Sequence, residues 1–296
     1  MIISLNGLLV EDKDAVVSVY DHGFLYGMGL FETFRTYNGQ PFLLDKHMER
    51  LTRSCAELGI AFEPNIEKLS KQVSELLLAN DLMDGYFRYT ITAGVSILGL
   101  PGEESYEQPT EIIYVKALPE RNDNLYVLGK PLQLLKHARN TPEGIYRLKS
   151  LHYMNNILAK RELASYPWAA GAEGLMLTEE GYISEGIVSN VFYVREGILY
   201  TPSLDTGCLP GVTREFVIGL AKQLGIVAQE GLYTWNDLVN SDEIFVTNSI
   251  QEIVPISSMY LPDGKKIEVG RSTDRSLDRQ TERFISQYRQ SIGSVI

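Results

Sequence analysis

The chain of 296 residues holds only two cysteines, Cys55 and Cys208, and four histidines. Two thiols without a Cys-x-x-Cys pairing build neither a disulfide framework nor a cysteine metal cluster, and the scattered histidines supply no ligand set, so no metal site is expected. A single bridge between the two thiols stays open on sequence grounds, with a reduced cytosolic setting as the default. Positive charge is short as well. Against 38 Asp and Glu stand 27 Lys and Arg, a formal net charge of −11, and no basic run is dense enough to make a nucleic-acid footprint. No apolar run reaches membrane-spanning length, and Met1 to Gly7 lacks the basic start and apolar core of a signal peptide. A cytoplasmic protein bound neither to nucleic acid nor to membrane is therefore expected.

At 44% hydrophobic and 22% charged residues, the chain can bury a substantial core and is long enough for two domains. Residues 1–43 read as antiparallel strands, with Ile2 to Val10 folding about Asn6-Gly7 and Leu30 to Leu44 about Asn38-Gly39, both hairpin turn pairs. A helix is expected from Asp45, with Met48, Leu51, Cys55 and Leu58 on one face and Gly59 as its stop. A second helix fills 64–79, strands follow near 86–95 and 110–117, and Gly99 to Gln108 reads as a mobile connection. The aperiodic polar stretch Leu118 to Asn124 reads as a linker, and a last helix near 273–291 is capped by Ser272-Thr273-Asp274. The expectation is an α+β protein of two α/β domains, 1–118 and 125–296, joined by 119–124.

Lys149 stands where an extended stretch from Asn140 turns into a helical one, beside Tyr146, Leu148, Leu151 and Tyr153. Desolvation there frees the amine as a nucleophile, the outline of Schiff-base chemistry; a solvated surface lysine is the plain alternative. Three downstream segments bear on the choice. Ile183 to Val194 reads as a buried strand carrying Glu185, a carboxylate that needs a partner. Leu209-Pro210-Gly211 stops the chain ahead of a helix whose first turn, at Val212 and Thr213, offers unpaired N–H groups and a hydroxyl to an anion. Glu243 to Asn248 reads as a strand leading into a polar loop with Ser249. Each alone also fits a paired core Glu, a capped helix and a strand-end turn.

Together, and in this order, these segments resemble the class IV family of pyridoxal-phosphate enzymes, which includes branched-chain aminotransferases, D-amino-acid aminotransferases and aminodeoxychorismate lyases. The resemblance spans nearly the whole chain, through Asp21 to Arg35 and through His47-Met-Glu-Arg50-Leu51. Within the family it is greatest toward the bacterial lyases, at Arg139 to Gly144, Arg147 to Ser150 and Tyr200 to Gly207. It implies the class IV aminotransferase-like fold, pyridoxal 5′-phosphate as cofactor, and a homodimer with Tyr26 or a neighbour entering the partner's site. Conversion of 4-amino-4-deoxychorismate to 4-aminobenzoate and pyruvate is the implied activity.

It also implies roles for single residues. Arg50, a solvated helix arginine by position alone, binds the cofactor phosphate with Val212, Thr213 and Ser249. Lys149 is the catalytic lysine that also holds the cofactor, and Glu185 faces the pyridine nitrogen. Tyr153, a helical turn past Lys149, reaches the cofactor or the substrate. Tyr26, Phe31, Thr33 and Arg88 are candidate substrate contacts, each with a packing or pairing alternative. D-amino-acid aminotransferases carry an arginine where this chain has Ala93, whereas Arg88 corresponds better to an arginine of branched-chain aminotransferases. An aminotransferase acting on D- or branched-chain amino acids is thus the alternative activity. A non-catalytic cofactor-binding protein is the remaining one, and joint retention of Lys149, Glu185 and Arg50 speaks against it.

Overall fold

The computed structural model describes residues 1–100, 102, 105–120, 122–270 and 279–295. It divides into two compact units, the first comprising 1–120 with 148–152 and 294–296, the second 121–147 with 153–293.

In the first unit, β1 (Ile2–Leu5) and β2 (Leu8–Glu11) form a hairpin closed at Leu5 and Leu8, and β3 (Gly29–Tyr37) and β4 (Gln40–Pro41) form another closed at Tyr37 and Gln40. Both turns are Asn-Gly pairs with both residues at positive φ (Asn6 49°, Gly7 82°; Asn38 49°, Gly39 78°), the backbone that two-residue hairpins require. With β5 (Gly85–Thr92) and β6 (Thr110–Ala117) they make a six-stranded sheet in the order β2-β1-β6-β5-β3-β4. The short helix α1 (His22–Tyr26) precedes β3, and α2 (Leu44–Glu57) and α3 (Ile66–Ala79) follow it. The first expected helix starts at Leu44, one residue before Asp45, after a left-handed N-cap Leu43 with no side-chain bond, and Gly59 at φ 65° lies just past its end as expected. Of the expected mobile connection, residues 101, 103 and 104 lie outside the described residues, while Tyr106 is buried and bridged to Ile60.

Strand alternation sorts β3 and β5 into two faces. Leu30 and Phe34 join Phe87 and Ile91 in one core with Met48 and Leu51 of α2 and Val73 and Leu76 of α3, and Phe34 stacks on Phe87 at 5.4 Å. Phe31 and Thr33 lie on the opposite face, in register with Thr90 and Arg88. Residues 148–152 join this unit through two backbone bonds: the Phe31 N–H donates to the Lys149 carbonyl and the Leu151 N–H to the Gly29 carbonyl, each at 2.9 Å.

The second unit opens with α4 (Asp123–Leu128), so the end of the expected linker is helical, and continues with β7 (Lys130–Leu134) and α5 (Met154–Ala164). It then runs through β8 (Glu173–Leu177), β9 (Ile183–Gly186), β10 (Asn190–Arg195), β11 (Ile198–Pro202), α6 (Val212–Gln223) and β12 (Ala228–Gly231). The last elements are α7 (Trp235–Val239), β13 (Glu243–Asn248), β14 (Glu252–Tyr260), β15 (Lys266–Glu268) and α8 (Gln280–Val295). Its nine-stranded sheet is ordered β12-β11-β10-β13-β14-β7-β8-β9, with β15 paired to β14. Leu132, Leu175, Val191, Val246, Val254 and Met259 fill its main core.

Three expectations change. The single strand expected over 183–194 is two strands, because the Gly186 N–H turns back to the Ser189 carbonyl. Since α5 begins at Met154 with Tyr153 as its N-cap, Lys149 and Tyr153 are not a turn apart on one helix. The last helix is described from Gln280, and its expected Ser-Thr-Asp cap lies outside the described residues. No helix among the described residues is long and apolar enough to cross a membrane, and among them no group of His, Cys, Asp and Glu is arranged to hold a metal ion.

Candidate active site

In the first unit the pairing of residues 148–152 with the start of β3 places the Lys149 side chain on Phe31, with Nζ 4.6 Å from the ring centroid. Arg88 Cζ lies 3.6 Å from the same centroid, and its Nε donates to Thr90 Oγ1 at 3.2 Å. Phe31 is buried and Thr33 half-buried on this face, so four of the expected residues, Lys149, Phe31, Thr33 and Arg88, gather on one side of the sheet. The Tyr26 hydroxyl accepts from the Gly99 N–H at 2.9 Å, and its ring packs edge-on against His22.

Arg50 is not solvated. It is 8% exposed, and its Nε and Nη2 donate to the two oxygens of Glu32 at 2.7 and 2.5 Å. His47 Nδ1 donates to Glu32 as well, at 2.7 Å. Burial pushes the Glu32 carboxyl up, but Arg50 and His47 outweigh it and hold it at about 2. Burial also lowers His47, with Glu32 opposing.

In the second unit Glu185, 5% exposed on β9, accepts from Arg139 Nε at 2.7 Å and from the Leu209 N–H at 2.9 Å, with Arg147 Nε 3.9 Å away. Arg139 Nη1 also donates to Asn155 Oδ1 at 2.6 Å. Arg147 donates to the carbonyls of Gly207 and Asn140. Its loss of solvent and the nearby Arg139 charge bring Arg147 down to about 10, with Glu185 opposing. Cys208, beside this cluster, is driven up to about 11 by burial and by Glu185.

Two of the residues expected at the anion site come together within this unit. Thr213 in the first turn of α6 and Ser249 after β13 bring their hydroxyl oxygens within 3.4 Å. Gly211 caps α6 without a side-chain bond, and Val212 follows it as the first helical residue. Ser249 is held by a tight loop in which Asn248 Oδ1 accepts from the N–H groups of Ile250 and Gln251 at 3.0 and 2.7 Å. Two converging hydroxyls at a helix start fit the oxygens of a phosphate monoester. A buried carboxylate fits a ring N–H, and a lysine at a sheet face fits a carbonyl partner. Within the second unit the carboxylate and the hydroxyls suit the ring nitrogen and phosphate of pyridoxal 5′-phosphate, and within the first Lys149 suits its carbonyl.

Sequence reasoning left Glu32, Arg139 and His47 without roles. A charged residue at the core phase of β3, between Leu30 and Phe34, was a readable signal for Glu32. The contact of Arg139 with Glu185, 46 positions away, had none.

Comparison with known proteins bears on the family. The model of the amino-transferase class IV family matches residues 29–259. The chain belongs to that family. It is similar to an aminodeoxychorismate lyase of Bacillus subtilis, 46% identical over 259 residues covering 87% of this chain and 86% of that protein. Among solved structures it is similar to an Escherichia coli branched-chain amino acid aminotransferase (TM-score 0.83, 29% identity, 98% and 93% of the two chains). It is also similar to a 4-amino-4-deoxychorismate lyase of Pseudomonas aeruginosa (TM-score 0.81, 27% identity, 97% and 98%). The expected class IV fold is therefore the observed one, and the chain is a pyridoxal-phosphate-dependent enzyme.

Proposed function

We propose that the chain is an aminodeoxychorismate lyase that converts 4-amino-4-deoxychorismate to 4-aminobenzoate and pyruvate. The observation that carries this reading is the 46% identity to the Bacillus subtilis lyase. The reaction balances without a second substrate. One ring C–H and one C–O bond break, one methyl C–H bond forms, and no water or oxidant enters.

When bound, pyridoxal 5′-phosphate supplies a carbonyl that captures the substrate amine and a ring that accepts the electron pair released at the adjacent carbon. Arg50, the Val212 N–H and the hydroxyls of Thr213 and Ser249 bind its phosphate. The Glu185 carboxylate would accept from the ring nitrogen and favour its protonated form. Tyr153 contacts the cofactor or the substrate. Lys149 would hold the cofactor carbonyl until the substrate binds. Its Nζ takes the proton from the carbon bearing the nitrogen and returns it to the methylene of the departing enolpyruvyl group, with Thr33 as the second candidate donor. Arg88 meets a substrate carboxylate, and Tyr26 and Phe31 line the pocket.

The second reading is an aminotransferase acting on D- or branched-chain amino acids, favoured by the structural likeness to the Escherichia coli aminotransferase. The two part on co-substrate demand. Purified enzyme given aminodeoxychorismate alone is expected to release 4-aminobenzoate and pyruvate in equal amounts. Absence of product, with turnover of D-alanine or branched-chain amino acids once 2-oxoglutarate is added, would establish the aminotransferase instead.

We also infer a homodimer. The first unit exposes Val16, Val19, Phe24, Ile97, Leu98 and Leu100, each more than 60% accessible, apolar side chains that a second copy would cover. Sedimentation at twice the chain mass is expected, and a fully active monomer would contradict it. A cytoplasmic location agrees with this reading and is tested by fractionation.

A further inference from the structure

Glu32 occupies the helix-facing side of β3 between two core residues, Leu30 and Phe34, and is 1% exposed. A carboxylate in such a place is retained only when its oxygens are satisfied. Here α2 supplies the donors from one face, His47 and Arg50 being three residues apart, while the strand supplies the acceptor. The guanidinium grips both Glu32 oxygens through its Nε–Nη2 edge, which directs Nη1 away from Glu32. His47 closes the third bond on Oε2 and braces the carboxylate from the side.

We propose that Glu32 is the positioning residue for Arg50, fixing the guanidinium in the single orientation in which it receives the cofactor phosphate. This rests on the reading of Arg50 as a phosphate ligand. Glu32 acts on phosphate binding in two opposed ways. As a charge it neutralises Arg50 and repels the incoming dianion, which weakens binding. As a fork partner it removes the rotamer freedom that a long arginine must otherwise surrender when the phosphate arrives, which strengthens binding. Orientation prevails, because both partners are buried and share two parallel bonds. Loss of the fork should therefore weaken binding.

Glu32→Gln puts an amide NH2 against an arginine N–H and breaks half of the fork. Glu32→Asp keeps the counter-charge but is one methylene short of gripping the guanidinium while meeting His47. Dissociation constants for pyridoxal 5′-phosphate, from absorbance titration of apoprotein, are to be compared among wild type, these two variants, Arg50→Ala, and Arg50→Ala combined with Glu32→Gln. Both Glu32 variants are expected to bind the cofactor about tenfold more weakly. The double variant should bind no more weakly than Arg50→Ala, and affinity for pyridoxal, which lacks the phosphate, should not change. Unchanged or tighter binding in the Glu32 variants would make Glu32 a counter-charge only. A loss that persists in the Arg50→Ala background would show that Glu32 does not act through Arg50. Either result overturns the proposal, and should Glu32→Gln fail to fold, Glu32→Asp decides it. Wild-type affinity in Arg50→Ala would refute the phosphate role of Arg50 itself, whereas loss there with intact binding in the Glu32 variants refutes the positioning role alone.

Discussion

Lys149 and Phe31 are joined through both backbone and side chain. The Phe31 N–H donates to the Lys149 carbonyl at 2.9 Å, and Lys149 Nζ lies 4.6 Å from the centre of the Phe31 ring. Arg88 uses the same ring, with Cζ at 3.6 Å. Cation–π attraction of the Arg88 guanidinium to this ring is worth on the order of 0.5–2 kcal/mol. Phe31→Leu keeps an apolar filler and removes that attraction. Its kcat/KM is expected to fall roughly 3- to 30-fold, with Phe31→Tyr near wild type in steady-state kinetics. An unchanged leucine variant would reduce the ring to packing.

A Cβ at Gly211 would lie 2.1 Å from Asn190 Oδ1, and the Asn190 amide is itself bonded to the Leu209 carbonyl at 2.9 Å. Gly211→Ala must therefore shift the cap of α6 or Asn190, at about 1–3 kcal/mol of stability. Since the first turn of α6 carries Thr213, weaker binding of pyridoxal 5′-phosphate should accompany the loss. Wild-type affinity in a titration of this variant would separate the cap from the anion site.

Acid should act on the Glu32–His47 pair in two windows. Burial lowers His47 below its ordinary 6.5, so the unfolded chain takes up that proton first and stability falls as pH drops below about 6.5. Glu32 is lowered from 4.5 to about 2, so its stabilising contribution is full above about 4.5 and is lost as pH falls to about 2. Between pH 6.5 and 4.5 only the histidine contributes to the slope. Urea midpoints at pH 7.5 and 5 should show wild type losing stability relative to His47→Gln, and parallel behaviour of the two would contradict the assignment.

Arg139→Ala should destabilise the apoprotein by about 3–5 kcal/mol, because it leaves the Glu185 carboxylate without its short charged partner in a buried site. Denaturant unfolding measures this directly. A change below about 1 kcal/mol would show that the Leu209 N–H and Arg147 suffice for Glu185.

Short-range chemistry was legible in the sequence. Asn6-Gly7 and Asn38-Gly39 announced their hairpins because few residue pairs accept two positive φ angles, and Gly59 marked the end of α2 for a related reason. Glu185 and Thr213 stood out as a buried carboxylate and a helix-start hydroxyl, the resemblance added Ser249, and Thr213 and Ser249 do converge. What was not legible is tertiary. A left-handed Leu43 with no capping side chain precedes α2, which starts at Leu44, so Asp45 gave a start one residue late. Position alone made Arg50 a solvated residue, offset from the apolar face of its helix, and only the resemblance gave it a role, whereas its burial against Glu32, 18 positions earlier on a strand, is tertiary. The pairing of Lys149 with β3 is a single bridge and two bonds, which leave no periodic trace in sequence.

The most direct measurement is 4-aminobenzoate formation from aminodeoxychorismate by cofactor-loaded wild type and Lys149→Ala, with pyruvate followed in the same reaction. The expected result is steady release of both products by wild type and a fall of about a thousandfold or more in the variant. Product formation at the wild-type rate without Lys149 would contradict its assignment as the proton-transferring residue, and no product from loaded wild type would contradict the lyase.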